Sequence, residues 1–383
     1  MAKLKNFGIA LLIIGLLAFQ GWFMGARWPW QPAPTLTLER AGHPVLVVQP
    51  TIVVGTNRQQ PVQARPTFQT GIIFPQWGTT AYGPQDTDWQ TGLNEIAPQI
   101  AARWIALTIP FEQDSPSATS VQTSPLTPSP TAVAAGIQLA RASGYHIFVQ
   151  PLLTINGSQS WAGTIQFARQ QQAQQWFDSY WHTYQPYVAA ASQAGADELA
   201  IGTEFAGLEQ HWKVQWEQLI ARIHAIFPGM LTYDMNWTSM TSNLPSWMHD
   251  ASLTAIGVSV YIPLTDKAQR VPPKDIAPLW SAKIGQPLDA LAQTLHKPVL
   301  ISNIGYRDSR DALYQPWQLQ ASGTNAVPDE QEQAAAYGAA LQYALTDTVL
   351  EGIFFWAWSQ PPYAPNGHAA AQELYKWYSS PQA

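Results

Sequence analysis

The first residue in this chain placed to do chemistry is a carboxylate at the end of an apolar run. Glu198-Leu199-Ala200-Ile201-Gly202-Thr203-Glu204-Phe205 reads as a short strand that stops on an acid. A strand covered on both faces of a parallel sheet is near-continuously apolar, and α/β folds set their reacting groups just past such strand ends. A lone Glu there is more often a surface loop residue. A second apolar strand changes the weighting, because Pro298-Val299-Leu300-Ile301-Ser302-Asn303 also ends on a polar side chain. Glu204 is thereby a candidate functional residue rather than a lone surface acid.

These two residues need elements to hold them at one rim, and the chain beyond residue 70 supplies a regular series. Strands are expected over 70–74, 103–109, 146–153, 198–202, 230–236, 253–260, 298–302 and 352–356. Helices are expected over 89–102, 131–143, 167–194, 210–226, 277–295, 329–346 and 369–378, with a short helical piece near 245–250. Strict βα alternation implies a parallel sheet with helices outside. Eight such units in about 310 residues fit a closed (β/α)8 TIM barrel. A doubly wound sheet is the competing architecture, but no glycine-rich phosphate loop follows the first strand.

In a barrel the βα loops carry function. Reading the strand ends in order gives Pro75-Gln76-Trp77, then Glu112 and Asp114, then Asn156 to Trp161, Glu204, Asn236-Trp237, Tyr261, Asn303, and Trp356-Ala357-Trp358. Aromatic faces pack on sugar C–H surfaces and carboxamides bind hydroxyls, so this rim reads as a carbohydrate cleft. Each Trp singly is as easily a packing residue, but five of the eight ends carry Trp or Tyr.

Composition sets the outer limits. The chain has 383 residues, 18 Trp, no Cys, 11% charged residues and a net charge of -6. Mild acidity without a basic patch gives no footprint for nucleic acid. Without Cys there are neither disulfides nor thiolate metal sites, and the eight His follow no zinc spacing, so no metal or other cofactor is expected. No G-x-S-x-G elbow marks a serine hydrolase. Lys3 and Lys5 precede an uncharged run over residues 7–24, and Arg27 follows it. That run is near the minimum for a membrane-spanning helix and lacks a good cleavage site, so an uncleaved signal anchor over 1–27 is expected, with the barrel outside; cleavage and secretion is the alternative. Residues 28–69 are Pro-rich and Gln-rich, a linker with an apolar β-type stretch at 44–54, and the barrel domain is expected over 70–383.

The stretches Gly71-Ile72-Ile73-Phe74 with Trp77-Gly78, Gly202-Thr203-Glu204, Leu231-Thr232-Tyr233 with Asn236-Trp237, and Tyr261-Ile262-Pro263-Leu264 come in a recognisable order. Downstream are Ile304-Gly305-Tyr306-Arg307 with Ser309, Asp329-Glu330-Gln331, and Gly352 with Trp356 and Trp358. In this series the chain resembles glycoside hydrolase family 113, the β-mannanase-like (β/α)8 barrels of clan A. The resemblance implies a retaining site, with the acid/base at Glu204 and the nucleophile at position 303. It also implies oligosaccharide or polysaccharide of β-mannan type as substrate, with Trp77, Trp161, Asn236, Trp237, Tyr261, Tyr306, Trp356 and Trp358 as candidate contacts. The family's nucleophile is a Glu, and this chain has Asn303 there. A carboxamide has the shape of a carboxylate without its charge and is a poor nucleophile, so hydrolysis should fall by several orders of magnitude. Removing a neighbouring anion should also lower the pKa of Glu204. Three readings stay open at this stage: an oligosaccharide binder with little or no hydrolytic activity, a hydrolase that recruits Glu112, Asp234 or Asp308, or a substrate group or water in an inverting route, and a scaffold on the cell surface.

Overall fold

The structure, a computed structural model, describes residues 68–156, 160–240, 243–319, 327–347 and 349–380. Nine strands lie among them: β1 (Gln69–Ile73), β2 (Trp104–Gln113), β3 (Gln122–Thr123), β4 (His146–Ile155), β5 (Glu198–Thr203), β6 (Met230–Asn236), β7 (Ala255–Ser259), β8 (Val299–Ile304) and β9 (Leu350–Phe355). Eight are parallel, in the order β1-β9-β8-β7-β6-β5-β4-β2, and β2 returns to β1 with Gly71 opposite Trp104. The sheet is therefore a closed barrel of the expected (β/α)8 kind. The two-residue β3 runs antiparallel to the top of β2, Phe111 opposite Thr123, and no periodicity in the sequence announces it.

Strand alternation sorts the side chains. One set points out to the helices, among them Ile72, Ile105, Val149, Leu199, Ile201 and Ile353, all buried. The other set fills the barrel in layers, as a small barrel requires. At the lower end the Gln69 amide donates to Glu198 at 2.7 Å and to Glu351 at 3.1 Å. Above them Ile73, Trp104, Ala106, Phe148, Ala200, Leu300 and Phe354 form a separate apolar plug. Over that plug the layer turns polar, with Thr108, Gln150, Thr232, Asp234 and Ser302 all buried.

The outer ring is α1 (Thr87–Ile100), α2 (Pro130–Ala142), α3 (Gln170–Ala194), α4 (Ala206–Glu209), α5 (Lys213–His224), α6 (Pro273–Trp280), α7 (Gln286–Leu295), α8 (Glu330–Ala344) and α9 (Ala369–Tyr378). Capping fixes several starts: Asp86 accepts from Trp89 N, Ser129 from Ala132 N and Asp329 from Glu332 N. The helix expected at 277–295 begins four residues earlier, because Pro273 occupies the first turn, where its missing N–H costs nothing. A π-helical segment, Ser281–Gly285, separates α6 from α7. β2 and β4 both run higher than expected, paired from Trp104–His146 to Gln113–Ile155. Pro110 is tolerated inside β2 because β1 ends opposite Ala106 and claims no ladder bond at that height.

The expected membrane helix at 7–24 and the segment up to residue 67 lie outside the described residues. Among the described residues, no helix is long and apolar enough to cross a membrane.

Candidate active site

Glu204 stands immediately after β5, the fourth strand of the barrel, and its backbone is bent to aim it. Its φ of 59° lies in the left-handed region, which is strained for a residue with a side chain. Two hydrogen bonds hold the bend. Glu204 N donates to Asp234 O at 2.7 Å, and Phe205 N donates to the Tyr233 hydroxyl at 3.0 Å. The same hydroxyl donates to Glu209 Oε1 at 2.8 Å, and Trp247 Nε1 donates to the Glu209 carbonyl at 2.9 Å. Gly202 is needed beneath this turn, since a Cβ there would meet the Phe205 ring at 2.6 Å.

An aromatic wall backs the bend. Trp216 stacks on Trp247 with ring centroids 4.3 Å apart and meets Tyr233 edge-on at 5.2 Å. Trp176 stacks on Tyr180 at 5.3 Å, and both meet the edge of Phe205. All six rings are buried, so the acid is braced by apolar packing rather than by charge.

Register places the other polar groups in one row. Asn236, Ser259 and Asn303 are mutual partners across β6, β7 and β8. Neighbouring strands lie about 4.8 Å apart, so the backbones of Asn236 and Asn303 are roughly 10 Å from each other. Asn236 Nδ2 donates to Glu204 Oε1 at 3.1 Å. From the next loop the Tyr261 hydroxyl donates to Asn303 Oδ1 at 2.6 Å. Glu204 and Asn303 are each partly exposed, and Asn236 is buried between them. The acid expected after the fourth barrel strand and the carboxamide expected at the seventh thus share one mouth.

Burial raises Glu204 to about 7, opposed by the hydrogen bond from Asn236 and the neighbouring Ser259, while Glu209 adds a smaller push upward. The sequence implied that losing an anion at position 303 would lower this pKa. The structure adds an effect of opposite sign: desolvation, with a smaller push from Glu209, raises the group toward neutrality. Asp234, one layer down, is likewise raised to about 7 by burial. Gln150 Nε2 donates to its Oδ2 at 2.9 Å. Gly257 makes room for its other oxygen, which an added Cβ would meet at 2.0 Å.

The expected contact residues divide. Trp77 and Trp161 sit on the loops after β1 and β4, partly exposed, the Trp161 ring lying over Gly163. Trp356, also partly exposed, packs on the apolar plug. Trp237 stacks with Trp317, centroids 6.1 Å apart and planes 26° from parallel. Tyr306 and Trp358 are set in the hydrophobic core. Each is 1% exposed, and the Tyr306 hydroxyl is engaged by Trp280 Nε1 at 3.1 Å. Trp358 was read as a rim residue from its place after a strand and Tyr306 from the family resemblance, but the chain turns there and carries both into the core.

Trp317 was not foreseen, because it lies 14 residues beyond Asn303 in a loop without a periodic pattern. A buried cation folds that loop back. Arg307, 1% exposed, donates to the carbonyls of Asp311, Tyr314, Gln315 and Gln318 at 2.8–3.2 Å. Nor were Tyr233 and Glu209 foreseen, since only the fold brings them behind Glu204. Among the described residues, no group of three or more His, Asp or Glu could hold a metal ion.

The profile of glycoside hydrolase family 113 matches residues 78–380. The chain belongs to this family. Solved family 113 structures are similar in fold. One is described as a complex of a β-1,4-mannanase, with a TM-score of 0.70, 18% identity, and coverage of 82% of this chain and 100% of that one. A second is the family 113 β-mannanase from Alicyclobacillus acidocaldarius in complex with ManMIm, with a TM-score of 0.67, 22% identity, and coverage of 82% and 98%. A family 5 mannosidase from Rhizomucor miehei follows at a TM-score of 0.55 and 12% identity, covering 82% of this chain and 93% of its own. No curated protein sequence matches the chain. Family 113 membership and the geometry agree on a glycoside hydrolase barrel whose mouth holds Glu204.

Proposed function

We propose that this family 113 domain binds a β-linked oligosaccharide of β-mannan type across the barrel mouth and hydrolyses it at most very slowly. Glu204 is its acid/base, and Asn303 stands where a carboxylate nucleophile would act. The observation that carries this reading is the row Glu204–Asn236–Ser259–Asn303, with Tyr261 tied to the carboxamide at 2.6 Å. Its polar groups suit a sugar ring. The Trp237–Trp317 pair, with Trp77, Trp161 and Trp356 around the mouth, suits the apolar faces of neighbouring units. The family 113 mannanases of like fold give the substrate class.

Retaining hydrolysis uses two carboxyl groups about 5–5.5 Å apart, one attacking the anomeric carbon as an anion. Asn303 supplies no anion. The three carboxylates considered as replacements are occupied elsewhere. Asp234 is sealed at 0% exposure below the site. Glu112 accepts from Gln122 Nε2 at 3.2 Å beside the β2–β3 hairpin. Asp308 belongs to the loop after β8, where its backbone N donates to Pro362 O at 3.0 Å and its carboxyl feels His368, Glu330 and Arg307.

Calorimetry with manno-oligosaccharides, alongside reducing-end assays, tests the reading. Wild type should bind and release few reducing ends, and Asn303→Glu should release many more. Ordinary mannanase turnover by wild type, or no binding to any β-linked oligosaccharide, would reject it.

A further inference from the structure

Taking that reading of the site as its basis, we infer that the cleft is arranged to make β-linkages from an α-configured glycosyl donor. Glu204 would serve as base toward the acceptor hydroxyl, and the room beside Asn303 would take a compact anionic leaving group.

The first support is side-chain length. Asn is one methylene shorter than Glu, and the β7–β8 register fixes the backbone of position 303 opposite Ser259. A carboxylate nucleophile must reach the α face of the anomeric carbon. Asn303 stops short of that point, and its Oδ1 is held by the Tyr261 hydroxyl. Relative to a Glu at the same backbone position, the shorter side chain leaves about one methylene more room on the α face. With Oδ1 engaged, the carboxamide has its Nδ2–H2 group to offer as a donor to a departing anion.

The second support is the state of the opposite wall. Every element that aims Glu204 is intact: the left-handed bend, the Tyr233–Glu209 brace and the Asn236 bond. A retaining enzyme passes through an α-linked glycosyl ester, and its second half-reaction needs only a base on the β face. An α-configured donor enters at that stage and bypasses the missing nucleophile.

The step balances. The acceptor oxygen forms a bond to C1 from the β face while the C1 bond to the leaving group breaks on the α face. The leaving group departs with the bonding electron pair as an anion. The acceptor proton passes to the Glu204 carboxylate and then to solvent. Inversion at C1 gives a β-linked product, which persists because cleaving it would require the absent nucleophile. Glu204 is the base in its ionised form, so transfer should rise with pH and level off above about 7.

The experiment uses the full chain with α-mannosyl fluoride as donor and mannobiose as acceptor. Fluoride release is followed with an electrode, and product length and anomeric configuration by mass spectrometry and NMR. Wild type should give β-linked trisaccharide and longer products, with rates rising toward the plateau above neutrality. Glu204→Gln should slow transfer by about 100-fold or more, the usual worth of a positioned base. Asn303→Glu should fill that room, fail to use the α-fluoride donor, and instead hydrolyse β-linked trisaccharide supplied to it. Binding of mannobiose to wild type and to Glu204→Gln is measured by calorimetry in parallel, which also reports whether the variant is folded. Mannobiose binding without transfer overturns this inference and leaves the oligosaccharide-binding reading intact. Loss of both overturns that reading as well. Transfer that survives in a folded Glu204→Gln, or that ignores pH between 5 and 9, also overturns it.

Discussion

The walls behind Glu204 and behind Asn303 are built on different physical terms. The Glu204 wall is apolar: Trp176, Tyr180, Phe205, Trp216, Tyr233 and Trp247 pack on one another and hold a strained backbone bend. The Asn303 wall is polar. Tyr261 fixes the carboxamide, and the buried Arg307 gathers four carbonyls to fold the loop that carries Trp317. The first wall sustains a chemical group poised near neutrality. The second holds a neutral carboxamide in place by hydrogen bonding. Shape and charge are thus separable at one barrel mouth, because packing and register fix position while ionisation depends on a single atom type.

Position 303 should give the largest effect. Asn303→Glu restores both charge and reach, whereas Asn303→Asp restores charge one methylene short. Hydrolysis of manno-oligosaccharides should rise by orders of magnitude in the Glu variant and roughly 100-fold less in the Asp variant, since a misplacement of about 1 Å costs that much. Equal gains in kcat/KM from the two would mean that charge alone was missing.

Stability separates the walls next. Trp216→Ala should cost about 3–5 kcal/mol, because Trp216 is fully buried in the aromatic stack. Arg307→Met should cost a similar ~3–5 kcal/mol by leaving carbonyls and Asp311 without their cation. The two should differ in function. Trp216→Ala should disturb the Glu204 bend and its pH profile, whereas Arg307→Met should weaken oligosaccharide affinity by releasing Trp317. Denaturant melts and calorimetry on both variants check this, and interchangeable phenotypes would break the distinction.

A pH-dependent effect of comparable size concerns the buried acid below the site. Asp234 is raised from its ordinary 3.8 to about 7 by burial. Between those values the folded state keeps a proton that the unfolded chain has released. Its contribution to stability is therefore full below about 4, falls as pH rises and levels off above about 7. Asp234→Asn should remove that slope, so the difference in unfolding free energy between variant and wild type should grow with pH across the window. A constant difference from pH 4 to 8 would show that Asp234 ionises normally in the fold.

The sequence by itself determined the barrel and the two strand ends. Buried parallel strands must be continuous apolar runs, and Leu199-Ala200-Ile201 and Val299-Leu300-Ile301 are such runs, so Glu204 and Asn303 could be placed by counting strands. Asn236 and Tyr261 were legible for the same reason, as the polar residues that close β6 and follow β7. Tertiary structure alone decided what surrounds them. Tyr306 and Trp358 follow strands just as Trp237 does, yet the turn after each strand buries two and exposes the third. Trp317 reaches the rim only because Arg307 folds its loop, and Tyr233 braces Glu204 by joining Phe205 and Glu209, which lie 28 and 24 residues from it in the chain. The near-neutral acidity of Glu204 was equally invisible. Strand periodicity is a local signal carried by neighbours in sequence, whereas loop direction and desolvation are set by whatever the completed fold places alongside.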